Sequence, residues 1–450
     1  MTAKPSEEMP TKDDLSRRRR ERLILFILSA VQFTTIVDFM IVMPLGPQLM
    51  DSLKISPAQF SLIVSSYTFA AGIAGLVASM IVDRFARRST FMILYAGFLI
   101  GTLLCALAPT YLTLVAARVA TGAFGGILGG LAMTIVGDVF PDERRGRATG
   151  ALMSGFAFAS VAGVPLGLYL GTNYGWHVPF VALVVAGAPF LFLTPLAMPR
   201  LDAHVSRTHA HPLKNLGAMF TEPGHLNAFA LMVALMLGSF TVFPYVSTYF
   251  VANVGLNVHE LPFLYIVGGA LTLFASPVFG KLADRYGKLR MFRIVAPVSG
   301  LLMFTITSLP PVATWVAVTV FGCLMVSNVG RMIPAMAMVT GSVAPRLRGG
   351  FMSANSSVQH IAGGVATSLG GLIIAETTDK KLEHFSVVGA IAAVATFFAI
   401  WLAGRVRLHE VQPASAAALS LPAAAEASVD AGEAMVAAVE GDEADISRRA

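Results

Sequence analysis

Twelve long apolar stretches follow one another along the chain, with short polar segments between them. Most hold the roughly 20 residues that a helix needs to cross the hydrocarbon core of a bilayer. Their limits are 23–45, 59–82, 90–109, 111–138, 148–171, 178–198, 226–253, 262–280, 294–309, 312–340, 350–375 and 385–404. The pattern predicts an all-α integral membrane protein with twelve transmembrane helices.

The second half of this pattern repeats the first. Asp83-Arg84 closes the second stretch, and Asp284-Arg285 closes the eighth, 201 positions later. The first and seventh stretches start 203 positions apart. A repeat of this length indicates two parallel six-helix units. The expected parts are a cytoplasmic tail at 1–22, an N-terminal bundle at 23–198, a cytoplasmic linker at 199–225, a C-terminal bundle at 226–407 and a disordered cytoplasmic tail at 408–450.

Composition and charge agree with a membrane protein and orient it. Of the 450 residues, 55% are hydrophobic and 13% are charged, which is about half the charged fraction of a soluble protein and excludes a water-soluble enzyme. With the N-terminus inside, 27 of the 32 Lys and Arg residues fall in cytoplasmic segments. Because basic loops stay in the cytoplasm, we expect both termini there and the protein in the inner, cytoplasmic membrane of the cell. The 23–45 stretch is too long for a cleaved signal peptide and is expected to be a retained helix.

Motifs for other classes of protein are missing from the sequence. It has no His-Glu-x-x-His, no Gly-x-Ser-x-Gly, and no phosphate-binding loop ending in Lys-Ser or Lys-Thr, which argues against an enzyme and an ATP-driven pump. Cys105 and Cys323 lie in apolar stretches and form no disulfide or metal pattern. We therefore expect no cofactor, no metal and no nucleic acid. The expected partners are a small-molecule substrate, protons and the bilayer, and the expected state is a monomer.

Two opposite charges lie at membrane depth. An ionised side chain there costs about 2.5–3.5 kcal/mol on insertion scales, so each needs a reason. At a rise of 1.5 Å per residue, Asp38 lies roughly 9 Å and Arg118 roughly 10 Å below the outer ends of their helices. We predict that Asp38 exchanges protons and that Arg118 holds its carboxylate ionised until substrate or a proton competes. A static ion pair, or a hydrogen bond that stabilises a kink near Pro44, is the alternative.

Other polar and aromatic side chains within the stretches are candidates for a substrate cavity. Gln32 and Thr35 share the helix face of Asp38. Arg331, deep in the tenth stretch, either extends to the cytoplasm or contacts substrate. Tyr245 and Tyr249 either stack on substrate or pack between helices. The predicted cavity residues are Gln32, Thr35, Tyr245, Tyr249, Asn328, Arg331, Gln359 and His360.

The loop after the eighth stretch carries the most specific motif. Its sequence, Gly280-Lys-Leu-Ala-Asp-Arg-Tyr-Gly-Lys-Leu-Arg290, resembles the corresponding loop of the major facilitator superfamily. The first copy departs from it, with Ser79 and Ala86 in place of two glycines. Arg118 and Gly122 resemble the Arg-x-x-x-Gly element of the same family. The resemblance covers about 23–405 and implies alternating access between two halves, with helices one, four, seven and ten around a cavity.

Two further segments resemble bacterial twelve-helix drug:proton antiporters. The first is the loop at 142–148. The second is Gly163, Pro165 and Gly167, where Val164 replaces a glycine that many antiporters have. Gly122, Gly126 and Gly130 repeat every four residues, as Gly163 and Gly167 do, which predicts close helix packing at these positions. We expect Pro165 to add a kink there.

The resemblance also implies a gate at the cytoplasmic loops. A carboxylate at a helix end can face the positive N-terminus of a neighbouring helix, a contact that stabilises by about 0.3–1 kcal/mol when exposed. Orientation by positive charge alone is the alternative function of the basic residues. The predicted gating residues are Asp83, Arg84, Arg87, Asp284, Arg285, Gly287 and Arg290.

Together these features predict a secondary active transporter. The favoured function is proton-coupled efflux, by antiport, of a small amphipathic compound or drug. The alternatives are a proton symporter that takes up a sugar, organic acid or other metabolite, and a transport-inactive membrane sensor. Two matched halves with charged cavity helices fit a transporter that works by alternating access better than they fit a channel.

Overall fold

The computed structural model describes residues 12–199, 217, 220–344 and 347–406 of the chain. Within residues 12–199, the N-terminal half consists of helices joined by short turns. A single turn of 3₁₀ helix follows α3, and a π-helical turn at Ala159–Gly163 joins α6 to α7. The helices are α1 Lys12–Ile41, α2 Gly46–Leu53, α3 Pro57–Ile81, α4 Arg87–Ala106, α5 Tyr111–Val139, α6 Asp142–Phe158, α7 Val164–Tyr174 and α8 Val178–Ala197.

The C-terminal half follows the same order of helices and adds a small hairpin. Its seventh predicted stretch is broken near Pro244 by a 3₁₀ turn, and a second π-helical turn ends it at Val254. The elements are α9 Pro223–Phe240, α10 Val246–Tyr249, α11 Leu261–Tyr286, α12 Lys288–Thr307, α13 Thr314–Gly341, α14 Arg348–Ile373, β1 Ala375–Glu376, β2 Leu382–Glu383 and α15 Phe385–Ala403. The two strands pair antiparallel.

The structure is nearly all helical, as predicted, and each of the twelve apolar stretches lies on helices. Ten helical segments of the described residues are long and apolar enough to cross a membrane. The stretches at 148–171 and 350–375 are not among those ten. The first is interrupted because Pro165 has no N–H to donate to the preceding turn, where the π-helical turn lies. Most of the predicted linker 199–225 and the predicted tail 408–450 lie outside the described residues, and α1 begins before the predicted first stretch.

The two halves meet along two pairs of helices. α3 packs along α14, and α11 packs against the π-helical turn and α7. Small residues allow these approaches, because a Cβ on Gly72 would lie 2.7 Å from Ile361 and one on Gly269 would lie 2.7 Å from the Ser160 carbonyl oxygen. The interface therefore has little room for larger side chains at these points.

A clasp joins the halves at the end that we call outer, defined by α2 and the β-hairpin. Lys380 of the hairpin donates to the carboxylate of Asp51 at 2.6 Å, and Lys54 lies 3.6 Å from the same oxygen. The hairpin is held to the C-terminal half by Asn253, whose amide donates to and accepts from the backbone of Leu382. Gly46, at the start of α2, lies so close to Thr248 that a Cβ there would be 2.7 Å from its hydroxyl. The two halves are therefore in contact at this end.

The clasp is expected to depend on pH and salt. The hydrogen bond and charge of Lys380 hold the pKa of Asp51 below its ordinary value. The clasp therefore contributes its full stabilisation of the folded state above the ordinary pKa of an aspartate. This stabilisation is lost as pH falls through the lowered pKa of Asp51 in the folded state. We expect Asp51→Asn to open the outer end slightly more often at neutral pH, with a smaller difference in high salt because both side chains are exposed. Distances between spin labels on α2 and the hairpin measure this. An unchanged distance distribution at low salt would contradict the clasp.

Candidate functional site

A buried ion pair lies at the centre of the N-terminal half. Arg118 Nη1 on α5 donates to Asp38 Oδ2 on α1 at 2.8 Å, and Thr102 on α4 donates to the other carboxylate oxygen at 3.1 Å. The side chain of Arg118 is 1% exposed and that of Asp38 is 0% exposed. A buried charge is tolerated when it is paired and hydrogen-bonded, and the carboxylate of Asp38 is both. The two predicted proton-coupling residues are thus in direct contact.

An aromatic ring completes the cluster from a third direction. The Arg118 Cζ lies 4.3 Å from the ring centroid of Tyr67 on α3, which is within the range of a cation–π interaction. This arrangement depends on Gly122, one helical turn after Arg118. A Cβ there would overlap the backbone of Tyr67, so only glycine lets α3 approach α5 this closely. The Arg-x-x-x-Gly spacing therefore places the guanidinium against both the carboxylate and the ring.

Four residues of the predicted substrate cavity are half-buried and four are buried. Gln32, Asn328, Gln359 and His360 are half-buried. The hydroxyls of Tyr245 and Tyr249 donate to the backbone carbonyls of Thr367 and Leu309, and that of Thr35 donates to carbonyls of its own helix. These three residues are buried, and their hydroxyls already have protein partners. Their positions favour helix packing.

Arg331 is a second buried guanidinium, but its surroundings differ from those of Arg118. It is 1% exposed and lies inside the C-terminal bundle, among α9, α12, α13 and α15. Nε donates to Asn328 Oδ1 at 3.1 Å, Nη1 donates to Thr396 at 2.8 Å, and Nη2 donates to Ser239 at 2.8 Å. Its position favours holding these helices together over extension to the cytoplasm.

The motif loops at the inner end differ between the halves. Gly287 has a φ of +91°, which suits glycine, and it turns the chain directly from α11 into α12. Ala86, its counterpart in the first half, has a φ of −61° and follows a 3₁₀ turn at Val82–Arg84. The first loop can lack glycine because its turn needs no positive φ.

The predicted gating residues fall into three groups. Arg87 is buried and its Nε lies 3.2 Å from Asp138 Oδ2, which joins the start of α4 to the end of α5 within the N-terminal half. The side chain of Asp83 lies outside the part of the structure that is described. The remaining members, Arg84, Asp284, Arg285, Gly287 and Arg290, are exposed.

Comparison with known proteins agrees with this architecture. A sequence profile described as Major Facilitator Superfamily matches residues 28–367. The chain belongs to this superfamily. It is 23% identical over 372 residues to the uncharacterized MFS-type transporter YceJ of Bacillus subtilis (strain 168), which covers 82% of this chain and 93% of that protein. The chain is therefore a multi-pass membrane transporter of the superfamily.

Solved structures of the superfamily share its fold. A bacterial homolog of the human lysosomal transporter Spinster, in an inward-facing and unoccupied conformation, superposes with a TM-score of 0.69 at 15% identity, covering 87% of this chain and 99% of that one. A D-xylose–proton symporter superposes with a TM-score of 0.70 at 15% identity, covering 84% and 97%. At this identity the likeness concerns the fold alone.

Sequence reasoning missed several neutral residues around the two buried arginines and Asp38. Thr102, Tyr67, Ser239 and Thr396 are hydroxyl-bearing residues within apolar stretches, and such residues often bond only to their own helix. Thr102 sits one residue after Gly101, where a Cβ would be 2.7 Å from the Thr121 hydroxyl, so a glycine marks the close approach of α4 and α5. A search for hydroxyls beside small residues in the stretches could have found it.

Proposed function

We propose that this superfamily transporter couples proton movement to the efflux of a small amphipathic compound, by antiport. The single observation that carries the proposal is the buried pair of Asp38 and Arg118. In the buried core of the N-terminal bundle, an ionised carboxylate is stabilised because Arg118 and Thr102 donate to its two oxygens. Intramembrane ionisable residues of this kind commonly serve proton relays.

The geometry supports a competition at Asp38 between a proton and Arg118. A proton on the carboxyl removes the negative charge that the guanidinium faces at 2.8 Å. Burial disfavours the ionised carboxylate and the guanidinium favours it, and the proposal is that the pair exchanges between two states. One state is the ion pair, and the other is a protonated Asp38 with Arg118 released from it.

A neighbouring aromatic contact links this pair to the interface between the halves. Phe39, next to Asp38 on α1, lies 5.3 Å from the ring of Tyr67 and 6.0 Å from that of Phe240 on α9. A shift of α1 when Asp38 changes protonation would therefore move Phe39 against both Tyr67, the ring beside Arg118, and Phe240 of the opposite half. Such a link is what alternating access requires, because the proton must bias one packing of the halves over the other.

The half-buried side chains near this interface are largely apolar and favour an amphipathic substrate. Phe39, Met40, Phe240 and Met325 are all half-buried. Met40 contacts Ser160, and Met325 packs closely against Gly268. Flexible thioethers and aromatic faces suit apolar substrates of varied shape.

A proton-release assay tests the proposal. Inverted membrane vesicles containing the transporter are energised to an acidic interior, and candidate amphipathic compounds are added while internal pH is followed. Antiport predicts that a transported compound releases protons from the vesicles and that vesicles lacking the protein show no release. Loss of substrate and protons together from vesicles preloaded with the compound would identify a symporter instead. Saturable binding with no proton movement would contradict coupling altogether.

A further inference from the structure

The charge on Arg331 has no counter-ion among the described residues. Its guanidinium donates only to neutral acceptors, namely Asn328, Ser239 and Thr396, with Met303 sulfur at 3.9 Å. Arg118 in the other half, by contrast, faces a carboxylate at 2.8 Å. The described core of the C-terminal bundle therefore carries an uncompensated positive charge, whose field extends far in surroundings of low dielectric constant.

This guanidinium fixes which way the amide of Asn328 faces. Arginine has N–H donors and no acceptor, so the atom of Asn328 that faces it must be the carbonyl oxygen. That oxygen accepts from Arg331 Nε at 3.1 Å and Nη2 at 3.0 Å, and the Ser239 hydroxyl donates to it at 3.3 Å. The amide NH₂ therefore points away from Arg331, and it is the only polar group that Asn328 has left to present.

The half-buried Asn328 lies next to α9, a helix that contacts the other half of the protein. Asn328 is half-buried, and at 100° per residue it lies about 140° around α13 from Cys323, which is exposed. Its partner Ser239 immediately precedes Phe240, the residue whose ring meets Phe39 of the N-terminal half. Asn328 therefore contacts the neighbour in sequence of a residue at the interhalf contact, and Arg331 binds the oxygen of its amide.

We propose that Asn328, oriented and polarised by Arg331, forms a subsite that binds a hydrogen-bond acceptor with negative charge, such as a carboxylate, on the transported compound. Arg331 is a positioning residue here, because it acts through Asn328 and does not itself touch the ligand. The inference rests on the proposed function in assuming that the interhalf region binds substrate, and it adds the class of substrate: an amphipathic organic anion in preference to an amphipathic cation.

Two probes of matched skeleton and opposite charge test the subsite. Binding of 4-phenylbutyrate and of 4-phenylbutylamine is measured by calorimetry on the full chain in zwitterionic nanodiscs at neutral pH, with empty nanodiscs as the blank. A hydrogen bond strengthened by a charged group predicts that the acid binds about tenfold more tightly than the amine. An equal or lower affinity of the acid, or no saturable binding of it at millimolar concentration, overturns the proposal.

Variants of the same shape make the test specific. Asn328→Asp places a carboxylate against Arg331, neutralises its charge and removes the NH₂, so the preference should reverse in favour of the amine. Arg331→Met should bring the two affinities close together, since Ser239 can still bond to Asn328 and Thr396 to the Ala392 carbonyl. Cys323→Ser, on the exposed side of the same helix, should keep the wild-type ratio. A folded Asn328→Asp protein that keeps the wild-type ratio overturns the proposal.

The same preparation separates this inference from the proposed function. Asp38→Asn should abolish proton release and keep the preference for the acid, because Asp38 and Asn328 lie in different halves. Preference for the acid in wild-type protein that moves no protons would support the subsite and contradict proton coupling. Proton release driven equally by the acid and the amine would support coupling and contradict the subsite.

Discussion

Replacing Asp38 with Asn is expected to reduce transport driven by a pH gradient to the background of protein-free vesicles. Asparagine keeps an oxygen that Arg118 and Thr102 can donate to, but it neither binds nor releases a proton near neutral pH. The amount of protein in the membrane should stay close to that of the wild type. Exchange of labelled for unlabelled substrate without a gradient should persist, because alternating access does not then require proton turnover.

The control for this substitution is Asp379→Asn, which makes the same chemical change at an exposed position in the hairpin between β1 and β2. It should transport as the wild type does. Removing Arg118 instead leaves a buried, unpaired carboxylate and should also destabilise the protein, by about 3–5 kcal/mol for a broken buried pair. Undiminished gradient-driven transport by Asp38→Asn would show that Asp38 and Arg118 form a purely structural ion pair.

Replacing Gly122 with Ala is expected to have the largest effect on stability. The new Cβ would overlap the carbonyl oxygen, carbonyl carbon and Cα of Tyr67, all of which are backbone atoms that a side-chain rotation cannot move. α3 must then shift away from α5, and overpacking of this kind costs about 1–3 kcal/mol, occasionally more. The shift also moves the Tyr67 ring from Arg118. We expect a lower midpoint of thermal unfolding in detergent and reduced transport.

Gly130→Ala, two turns further along α5, is the matched control. No heavy atom lies within 4 Å of the position that its Cβ would take. Alanine in a helix is more favourable than glycine by about 0.5–1 kcal/mol, so this variant should unfold at the same or a slightly higher temperature. Equal loss of stability in both variants would mean that the approach of Tyr67 to Gly122 is not what requires glycine in this helix.

These two glycines show that sequence spacing does not predict which residue of a helix face meets another helix. Gly122 and Gly130 both fit the four-residue spacing that predicts helix packing, and one meets a neighbouring backbone while the other meets nothing. The spacing fixes only the face of the helix on which a residue lies. Whether that face meets another helix at a given depth depends on the crossing of α3 and α5, which no local pattern records.

The two intramembrane arginines show the same limit. Both cost enough energy in a bilayer to be singled out from the sequence, and helical rise alone put Arg118 at the depth of Asp38. Arg331 has no acidic residue at its depth in the sequence, and its partners are neutral side chains on its own helix and on three others. Only the packing of α9, α12 and α15 around α13 reveals them, and with them the orientation of Asn328.

The sequence by itself determined that this chain spans a membrane, that it consists of two similar halves, which loops carry the positive charge, and which buried charges need an explanation. These properties follow from the length and composition of each stretch, which local transfer energies control. Only the tertiary structure decided which side chains meet, where α7 and α10 are set off by breaks in their helices, and that the halves are in contact at the outer end. Those features depend on contacts between residues tens or hundreds of positions apart, so they follow from how the helices pack together.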